Sequence, residues 1–395
     1  LFEMLRGDPL RHGWRDEHVK EALDLCLACK GCKGECPVKV DMATYKAEFL
    51  SHYYAGRLRP RQAYAFGLIM YWARLAGLAP WAANFATQTP LLRDLAKAIA
   101  GAAPARQLPP FARRSFQAWY RRRPPRNGDR PQVILWPDTF NNYFLPRTAR
   151  AALEVLEAAG WQVVVPPQAL CCRRPLYDYG MLDLAKRHLR QILAVLRPHI
   201  RAGVPVVGLE PSCVSVFRDE LVNLYPHDED ASRLQQQVFL LSEFLERKVP
   251  DYRPNRLRGR ALVQGHCHHQ AVLGMTDEVA VLDKLGLDYE LLDAGCCGMA
   301  GAFGYTAGQP YEVGRAAGER VLLPAVRAAA PDTLIIANGF SCREQILQGT
   351  QRPALHLAEV LWLALRHGEP SRGESNDGQV RTQSARQPTR RVSAG

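Results

Sequence analysis

The sequence predicts a mixed α/β protein in which a helical, cysteine-rich N-terminal unit precedes two repeated α/β modules. Four cysteines lie close together near the N-terminus, and short β-rich runs alternate with helical patterns from residue 132 onward. The two halves of that later region align with each other at an offset of about 128 residues, which indicates an internal repeat. Strands that alternate with helices predict parallel sheets covered by helices.

Composition narrows the class of protein. The chain has 395 residues, is 47% hydrophobic and 23% charged, and carries a formal charge of +12, which is typical of a globular protein of two or three domains. It contains no uncharged apolar run of the roughly 18 residues that a membrane span needs, and no signal peptide is visible. The expected location is the cytoplasm, with peripheral contact at the inner face of the membrane as an alternative. Because the chain begins with Leu1, we expect a fragment or a processed product.

The domain organisation follows from shifts in composition. The predicted units are a 4Fe-4S ferredoxin-type domain at 1–55, a helical segment at 56–103, a basic Pro/Arg-rich linker at 104–131, a first cysteine-rich module at 132–250, a second at 251–366 and a disordered tail at 367–395. Disorder is predicted for the tail because its composition is strongly polar.

Two of these segments allow alternative interpretations. The segment 56–103 reads as two helices that break at Pro80 and pack in a helical layer, although Tyr71, Trp72 and Trp81 could instead lie at a membrane interface. The linker contains eight Arg and one Asp. It is predicted to be an extended, solvated chain that packs against an acidic neighbour. No recognition helix or zinc-finger spacing accompanies it, so nucleic acid is not predicted as a partner.

From residue 132 onward, short apolar runs bounded by turn residues predict buried strands. The predicted strands are 133–136, 161–165, 204–209, 261–264, 289–292 and 333–337. The predicted helices are 147–159, 181–197, several within 213–247, 270–286, 311–329 and 355–366. Cysteines follow the strands at matching positions of both halves, where open α/β sheets place their ligands.

The first cysteine motif is the run C-x2-C-x2-C-x3-C-P, followed by a helical pattern from Met42 to Tyr54. Its cysteines are Cys26, Cys29, Cys32 and Cys36. The short spacers let one loop wrap an iron–sulfur cubane, and we expect Gly31 and Gly34 to relieve its turns. A zinc site would instead favour separated C-x2-C knuckles. In two-cluster ferredoxins the last cysteine of such a run binds the other cluster, so Cys36 closes its own cluster or one held by a missing segment or another subunit.

The second motif lies in the later module, and its cysteines are Cys267, Cys296, Cys297 and Cys342. They predict a second metal site, which would hold an iron–sulfur cluster or zinc. The three glycines Gly295, Gly298 and Gly301 would allow close backbone approach to a bulky ligand. The neighbouring histidines His266, His268 and His269 are either ligands or proton carriers, or simply surface residues.

The third motif occupies the matching positions of the first module, with Cys171, Cys172 and Cys213. Thr139 stands where the other module has its leading cysteine. This set could bind a cluster with a non-cysteine ligand such as Asp138, hold a disulfide or a substrate, or be degenerate. Arg173 and Arg174 could serve an anionic partner, or be ordinary exposed charges.

These motifs resemble the iron–sulfur portion of FAD-linked 2-hydroxyacid dehydrogenases. The closest likeness is to the C-terminal part of fused FAD-type D-lactate and D-2-hydroxyglutarate dehydrogenases, and the chain also resembles the glycolate oxidase iron–sulfur subunit. The segments that carry the resemblance are CLACKGCKGECPVKVDM, WPDTFNNYF, EPSC, GHCHHQ, GCCGMAGAFGY and NGFSC. The resemblance implies a ferredoxin-like domain and two Cys-Cys-Gly (CCG) modules.

The sequence departs from the fuller CCG pattern, since each module lacks one cysteine of its final C-x-x-C, at Glu210 and Gly339. The implied function is electron transfer from a flavin, carried by a partner or a missing upstream domain, to a quinone or another acceptor. No G-x-G-x-x-G or P-loop motif offers a nucleotide site in this chain. The alternative is a catalytic CCG subunit, like heterodisulfide reductase, that acts on a disulfide or quinone.

Overall fold

The computed structural model describes residues 1–7, 12–124, 126 and 128–369. Its strands are β1 Gln132–Leu135, β2 Gln162–Val164, β3 Val206–Gly208, β4 Val238–Leu240, β5 Arg260–Gln264, β6 Asp288–Leu292 and β7 Leu334–Ala337. Most of the predicted tail lies outside the described residues. Its first residues do not, because His367 ends the last helix and Glu369 pairs with Arg256.

The α-helices cover the N-terminal region and both faces of the sheets. They are α1 Phe2–Arg6, α2 Glu17–Asp24, α3 Gly31–Glu35, α4 Met42–Tyr53, α5 Arg61–Ala65, α6 Ile69–Ala76, α7 Pro80–Gln88, α8 Leu92–Ala100, α9 Phe116–Tyr120, α10 Thr139–Tyr143, α11 Pro146–Ala158, α12 Arg174–Asp178, α13 Leu182–Arg201, α14 Pro211–Ser215, α15 Leu221–Leu224, α16 Glu229–Gln237, α17 Leu241–Lys248, α18 Thr276–Leu285, α19 Gln309–Arg320, α20 Leu322–Ala328, α21 Phe340–Thr350 and α22 Leu357–His367. Short 3-10 turns lie at Gly13–Arg15 and Phe303–Tyr305, and π-helical turns lie at Val216–Glu220 and His269–Leu273.

The strands form two parallel sheets, as the alternating pattern predicted. The first sheet has the order β2-β1-β3-β4, and the second has the order β6-β5-β7. In the first, Ile134 pairs with Val164 on one side and Val206 on the other. The two halves therefore share one strand order, in which the first strand of each half lies between its second and third. This agreement places equivalent strand ends at equivalent positions.

Strand β4 was missed by the sequence prediction, which assigned all of 213–247 to helices. The apolar run at 238–241 is too short for its periodicity to separate a buried strand from a turn of buried helix. The structure pairs Val238 with Val206 and Leu240 with Gly208. The first sheet is consequently one strand wider than the second.

One hydrophobic core joins the two sheets. It includes Val133 and Leu135 of the first sheet, Val263 and Ile336 of the second, and helices α11 and α22 between them. Each of the four named side chains is fully buried. Since both sheets share this core, the loops at their strand ends hold fixed positions relative to each other.

The segment before the first sheet contains more helices than the sequence predicted, and it packs more closely against the rest of the protein. Four short helices, α5 to α8, replace the two expected in 56–103, and Pro80 begins α7 as its first residue. The predicted solvated linker contains α9, whose Phe116 is fully buried and whose Tyr120 hydroxyl donates to the Val163 carbonyl. Arg123 forms an ion pair with Glu157, the expected kind of acidic neighbour.

No helix among the described residues combines the length and the apolar character that crossing a bilayer requires.

Candidate iron–sulfur and cysteine site

The ferredoxin-type run lies in the loop between α2 and α4 and contains the single turn α3. Both flanking helices are capped by aspartates, since Asp16 accepts from the Val19 amide and Asp41 accepts from the Thr44 amide. These caps fix where each helix begins. The helix α3 ends at Glu35, and Cys36 takes the extended backbone that a residue before proline prefers.

The turns of this run are not made by the glycines that the sequence indicated. Its left-handed backbone positions are Ala28, Lys30 and Lys39, with φ of 53°, 61° and 53°. Gly34 instead lies in α3, where a Cβ would meet the Ala271 Cα at 3.4 Å. Glycine at this position therefore allows close packing against the π-helical turn of the second module, rather than a special backbone angle.

Backbone N–H groups are directed at the sulfurs of the run. The backbone groups of Val40, Val38 and Lys39 hydrogen-bond the Cys36 sulfur and lower the pKa of its thiol. The Met42 amide donates to the Cys32 Sγ at 3.4 Å. Burial raises the pKa of Cys26, and the charges of Cys29 and Cys32 add to that effect. Such N–H donors are the groups that stabilise anionic sulfur around a metal centre.

A buried cluster of charges fixes the run against the first module. The ammonium of Lys30 is fully buried and lies 2.8 Å from Asp41, 2.6 Å from Asp219 and 2.9 Å from Glu220. Lys33 adds a contact of 2.7 Å to Asp219. Burial alone would lower the pKa of Lys30, but the attraction of these carboxylates outweighs it and raises that pKa. Lys30 is a site residue that the sequence analysis missed, although a lysine between two cluster cysteines was a visible signal.

The second set of cysteines meets at the carboxyl ends of the second sheet. Cys267 follows β5, the pair Cys296 and Cys297 follows β6, and Cys342 lies in the first turn of α21 after β7. The side chain of Cys296 contacts those of Cys267 and Cys297, and the side chain of Cys297 also contacts that of Cys342. The structure thus brings together all four cysteines that the sequence assigned to this site.

The same contacts reach the ferredoxin-type run. A side-chain hydrogen bond between Cys29 and Cys296 lowers the pKa of Cys29 to about 6. Hydrogen bonds from Cys296 and Cys342 lower the pKa of Cys297, and the pKa values of those two donors are raised in turn. Five thiols from two distant parts of the sequence therefore form one continuous group.

The three histidines are buried, so the surface alternative is wrong for them. The ligand atoms of His266, Cys267 and His268 all lie within 4.8 Å of one another. Burial lowers the pKa of His266 to about 4 and that of His269 to about 3, so these rings are neutral. The Nε2 of His268 is buried and has no hydrogen-bond partner among the described residues. A neutral imidazole with a free nitrogen can serve as a metal ligand.

The glycines of the second cysteine loop adopt a left-handed backbone, and one of them lies close to another part of the protein. Gly295, Gly298 and Gly301 have φ of 59°, 84° and 63°. A Cβ at Gly298 would lie 1.9 Å from the Gly314 carbonyl oxygen. Gly298 therefore packs against the backbone of α19.

The first module gathers its three cysteines in the same way. Cys171 and Cys172 follow β2, Cys213 lies in α14 after β3, and the Sγ atoms of Cys213 and Cys172 are 2.7 Å apart. The buried Thr139 hydroxyl has no hydrogen-bond partner among the described residues. All three thiols are buried, and burial raises the pKa of Cys213 to about 12.

Asp138 was the candidate non-cysteine ligand of this set, but its carboxylate is already engaged. It caps α10 by accepting from the Phe140 and Asn141 amides, and it also accepts from the Asn141 side chain. Because these donors already bind the carboxylate of Asp138, the carboxylate has a structural role in the loop and is not a free ligand. Burial raises the pKa of Asp138 despite these donors.

Arg173 and Arg174 are both buried, which corrects the expectation of exposed charges. Arg174 forms ion pairs with Glu220 and with Asp178, the latter at 3.0 Å, and donates to the Ala28 carbonyl at 3.1 Å. This arginine therefore connects the loop after Cys172 to the ferredoxin-type run. The exposed interpretation failed because two partners of Arg174, Glu220 and Ala28, are distant in sequence.

Glu210 is another residue whose role the sequence analysis missed. The Phe340 amide and the Ser212 hydroxyl donate to its carboxylate at 2.8 and 3.0 Å, and the His266 Nε2 lies 3.7 Å away. Burial raises the pKa of Glu210 to about 7, and the charge of Asp138 acts in the same direction. Its position between the two modules links Cys213 of the first to His266 of the second. The E-P-S-C segment was visible in the sequence, but nothing in it separated Glu210 from an ordinary helix-start residue.

Cysteines from all three sets line one large cavity. Its volume is about 1150 Å³, and helices α5 to α8 form much of its wall. The cysteine and histidine side chains that line it are Cys26, Cys171, Cys172, Cys213, Cys267, His266 and His268. The site is therefore accessible to a ligand from one side, although most of its thiols are shielded from water.

The donor set fits an iron–sulfur centre. Four thiols lie in the ferredoxin-type run, with backbone N–H groups directed at Cys32 and Cys36. Soft sulfur ligands select iron–sulfur clusters or zinc over calcium or magnesium. At the second site, thiols together with neutral imidazoles suit either a cluster or zinc. Which of these thiols are ligands stays a prediction.

Comparison with known proteins identifies relatives of the chain. It is 26% identical over 359 residues to D-2-hydroxyglutarate dehydrogenase of Escherichia coli K12, which covers 87% of this chain and 35% of that protein. It is 26% identical over 290 residues to one of the subunits of anaerobic glycerol-3-phosphate dehydrogenase from the same organism, covering 71% and 72%. It is 28% identical over 249 residues to lactate utilization protein A of Bacillus licheniformis, covering 58% and 98%.

None of the protein-family models matches the chain. The chain spans only 34–36% of the length of three D-2-hydroxyglutarate dehydrogenases that it matches. These relatives, a dehydrogenase, a dehydrogenase subunit and a lactate utilization protein, confirm the resemblance that the cysteine motifs indicated.

Proposed function

We propose that the chain is the iron–sulfur electron-transfer module of an FAD-linked 2-hydroxyacid dehydrogenase of the D-lactate, D-2-hydroxyglutarate or glycolate type. It would pass electrons from a flavin, held by a partner or by another part of the same polypeptide, to a quinone or another acceptor. The observation that carries the proposal is the side-chain contact between Cys29 and Cys296, which joins the ferredoxin-type run to the second cysteine site.

Cys26, Cys29, Cys32 and Cys36 would hold a [4Fe–4S] cluster. When bound, such a cluster supplies one-electron chemistry with little change of geometry. The residues of the chain have supporting roles. The backbone N–H groups around Cys36 stabilise anionic sulfur, and the positive charge of Lys30 lies directly beside the run. Each of these groups favours the more negative state of a neighbouring centre.

The names of the relatives support the type of substrate. They are D-2-hydroxyglutarate dehydrogenases and a lactate utilization protein, and both names refer to 2-hydroxyacids. Because no dinucleotide or P-loop motif occurs in the sequence, oxidation of the hydroxyacid itself is assigned to the flavin of the partner.

A second function is favoured by the cavity. Cys172, Cys213 and Cys267 line it, so a disulfide or quinone substrate could reach these thiols directly. In that case the chain would be a catalytic CCG subunit, and the second site would react with the substrate itself.

The proposal is tested by mixing the anaerobically purified chain with its flavoprotein and a 2-hydroxyacid. We expect bleaching of the visible iron–sulfur absorption only when flavoprotein and hydroxyacid are both present. The Cys29→Ser variant should lose this response. Oxidation of the hydroxyacid by the chain alone would contradict the carrier function. Reduction of an added disulfide by the chemically reduced chain would favour the catalytic alternative.

A further inference from the structure

A lysine lies on the inward face of α4, the helix that follows the ferredoxin-type run. Lys46 precedes Phe49 and Leu50 by three and four residues, and both of these side chains are buried. Residues at these spacings share one face of a helix, so Lys46 points inward with them and is half-buried. Lysine seldom occupies such a face unless an anionic partner compensates its charge. The question is therefore which anion Lys46 serves.

The ammonium group of Lys46 is directed at the ferredoxin-type run. Its Nζ donates a hydrogen bond to the carbonyl oxygen of Cys26, the first cysteine of the run, at 2.7 Å. A carbonyl oxygen satisfies one of the three N–H donors of the ammonium but carries no net charge. This contact therefore fixes the position of the cation beside the run without neutralising it.

The carboxylates near Lys46 already have cations of their own. The acidic side chains whose charges act on Lys46 are Asp24 and Asp178. Asp24 pairs with Lys20 at 2.8 Å, and Asp178 pairs with Arg174 at 3.0 Å. Within the part of the chain that the structure describes, Lys46 itself forms no ion pair with a carboxylate. Its positive charge is therefore left uncompensated at the edge of the run.

Lys30, the fully buried lysine of the run, is in a different situation. Three carboxylates, those of Asp41, Asp219 and Glu220, lie within 2.9 Å of its ammonium and share its charge. Lys46 has one uncharged acceptor in place of these three anions. Because neighbouring anions cancel less of its field, Lys46 acts more strongly than Lys30 on a further negative charge at the run.

The charges of Lys46 and of the Cys26 sulfur influence each other. Burial raises the pKa of the Cys26 thiol, and the positive charge of Lys46 acts in the opposite direction. Burial likewise lowers the pKa of the Lys46 ammonium, and the charge of the Cys26 sulfur is the largest effect that opposes it. Negative charge on the sulfur of the run is thus the anion to which Lys46 responds most.

We propose that Lys46 compensates the charge of an anionic cluster held by the ferredoxin-type run and thereby raises the reduction potential of that cluster. The inference rests on the proposed function and specifies what sets the energy of its electron-accepting state. Ligating cysteines are deprotonated, so the centre is anionic before reduction. Reduction by the flavin of the partner adds one electron and forms or breaks no bond in this chain. A fixed cation stabilises the added negative charge. Lys46 is a positioning residue, because it contacts the backbone of the run and no reacting atom.

The inference is tested by redox titration of the full chain, purified anaerobically, with electron paramagnetic resonance as the readout of the reduced cluster. Lys46→Gln removes the charge but keeps a side-chain N–H donor. We expect it to disfavour reduction at least about tenfold, which is a shift of about 59 mV to more negative potential for one electron. Lys46→Arg keeps the charge and should stay within about threefold of the wild-type equilibrium.

The matched control is Lys248→Gln, which makes the same change of charge at the exposed C-terminal end of α17. Lys248 lies over the ring of Phe239, and its variant should keep the wild-type potential. Far-ultraviolet circular dichroism establishes that each variant is folded, and iron and sulfide analysis establishes that it holds its cluster. Loss of iron from Lys46→Gln but not from Lys46→Arg would support charge compensation, and loss from both would overturn it.

Equal potentials of the wild-type chain and Lys46→Gln would overturn this inference and leave the proposed function standing. Equal shifts in Lys46→Gln and Lys46→Arg would also overturn it, because the shape of the side chain rather than its charge would then set the potential. A shift confined to Lys46→Gln, in a chain whose cluster flavoprotein and hydroxyacid fail to reduce, would support the inference and overturn the proposed function. A wild-type chain without iron would overturn both.

Discussion

The side chains of Cys29 and Cys296 contact each other, although one residue belongs to the N-terminal run and the other to the second module. This contact makes the two cysteine sites neighbours. It depends on a chain of further contacts, since Lys30 and Arg174 fix the run to the first module and a shared core fixes the two modules to each other. Each part of that arrangement can be tested by substitution.

The two cysteine sites should be separable by spectroscopy. We expect Cys297→Ser to remove any signal from the second site and to leave the cubane signal in place, because Cys297 contacts Cys296 and Cys342 rather than the run. Cys29→Ser should remove the cubane signal. Electron paramagnetic resonance of the reduced variants measures both effects. Loss of the same signals in both variants would contradict two separate sites.

Lys30 should be essential for stability. Replacing it by Met leaves Asp41, Asp219 and Glu220 without their shared buried cation, and breaking a buried pair costs about 3–5 kcal/mol. Lys20→Met is the control, because Lys20 pairs with Glu17 and Asp24, whose carboxylates are exposed, and an i,i+4 pair of this kind is worth about 0.3–0.5 kcal/mol. Denaturant unfolding measures both. Similar losses for the two variants would show that the buried cluster is not a stabilising contact.

His356 should make stability fall in mild acid. Its Nε2 donates to the Leu209 carbonyl and its Nδ1 accepts from the Ala358 amide, both at 2.9 Å, so the folded state needs the neutral ring. Burial, aided by the charge of Arg343, lowers the pKa of His356 to about 3 from an ordinary 6.5. The unfolded chain therefore binds one more proton between these two pH values. Stability is complete above about pH 6.5 and falls by up to about 1.4 kcal/mol per pH unit below it.

The matched variant for this effect is His356→Asn, which keeps a side-chain cap for α22 but cannot take up the proton. Its free energy of unfolding should fall less steeply with decreasing pH than that of the wild-type chain. Parallel pH profiles of the two proteins, measured by denaturant unfolding from pH 7 to pH 5, would refute the assignment.

Two glycines of the second cysteine loop should respond differently to alanine. Gly298→Ala places a Cβ 1.9 Å from the Gly314 carbonyl oxygen, whereas a Cβ at Gly295 meets no atom within 4 Å. Both positions have positive φ, so both variants carry backbone strain of about 1–3 kcal/mol. Only Gly298→Ala should in addition displace the loop and reduce the metal content. Equal melting temperatures and metal contents would contradict this distinction.

Much of the fold could be predicted from periodicity. The ends of strands β1, β5 and β7 were predicted to within one residue, because each strand is a buried apolar run between turn residues. Strand β4 was missed because Val238–Leu240 is short and lies between helical sequences. The helical interpretation of 56–103 located the break at Pro80, but not the further breaks that create α5 and α8.

The cysteines of the site were predictable from local spacing and from the internal repeat, whereas the other residues of the site were not. The ferredoxin-type run is defined by local spacing, so its cysteines could be named in advance. The burial of Arg174, His266 and Glu210 depends on partners from other elements, and one sequence does not show which elements meet. The same limit applies to the contact between Cys29 and Cys296, which arises from the way the run packs on the second module.

The most direct test of the central claim is iron and sulfide analysis of the anaerobically purified chain, combined with electron paramagnetic resonance after reduction. We predict at least about four iron and four sulfide per chain and a cubane signal that Cys29→Ser abolishes and Leu5→Ser preserves. A chain that contains stoichiometric zinc and no iron would contradict the claim.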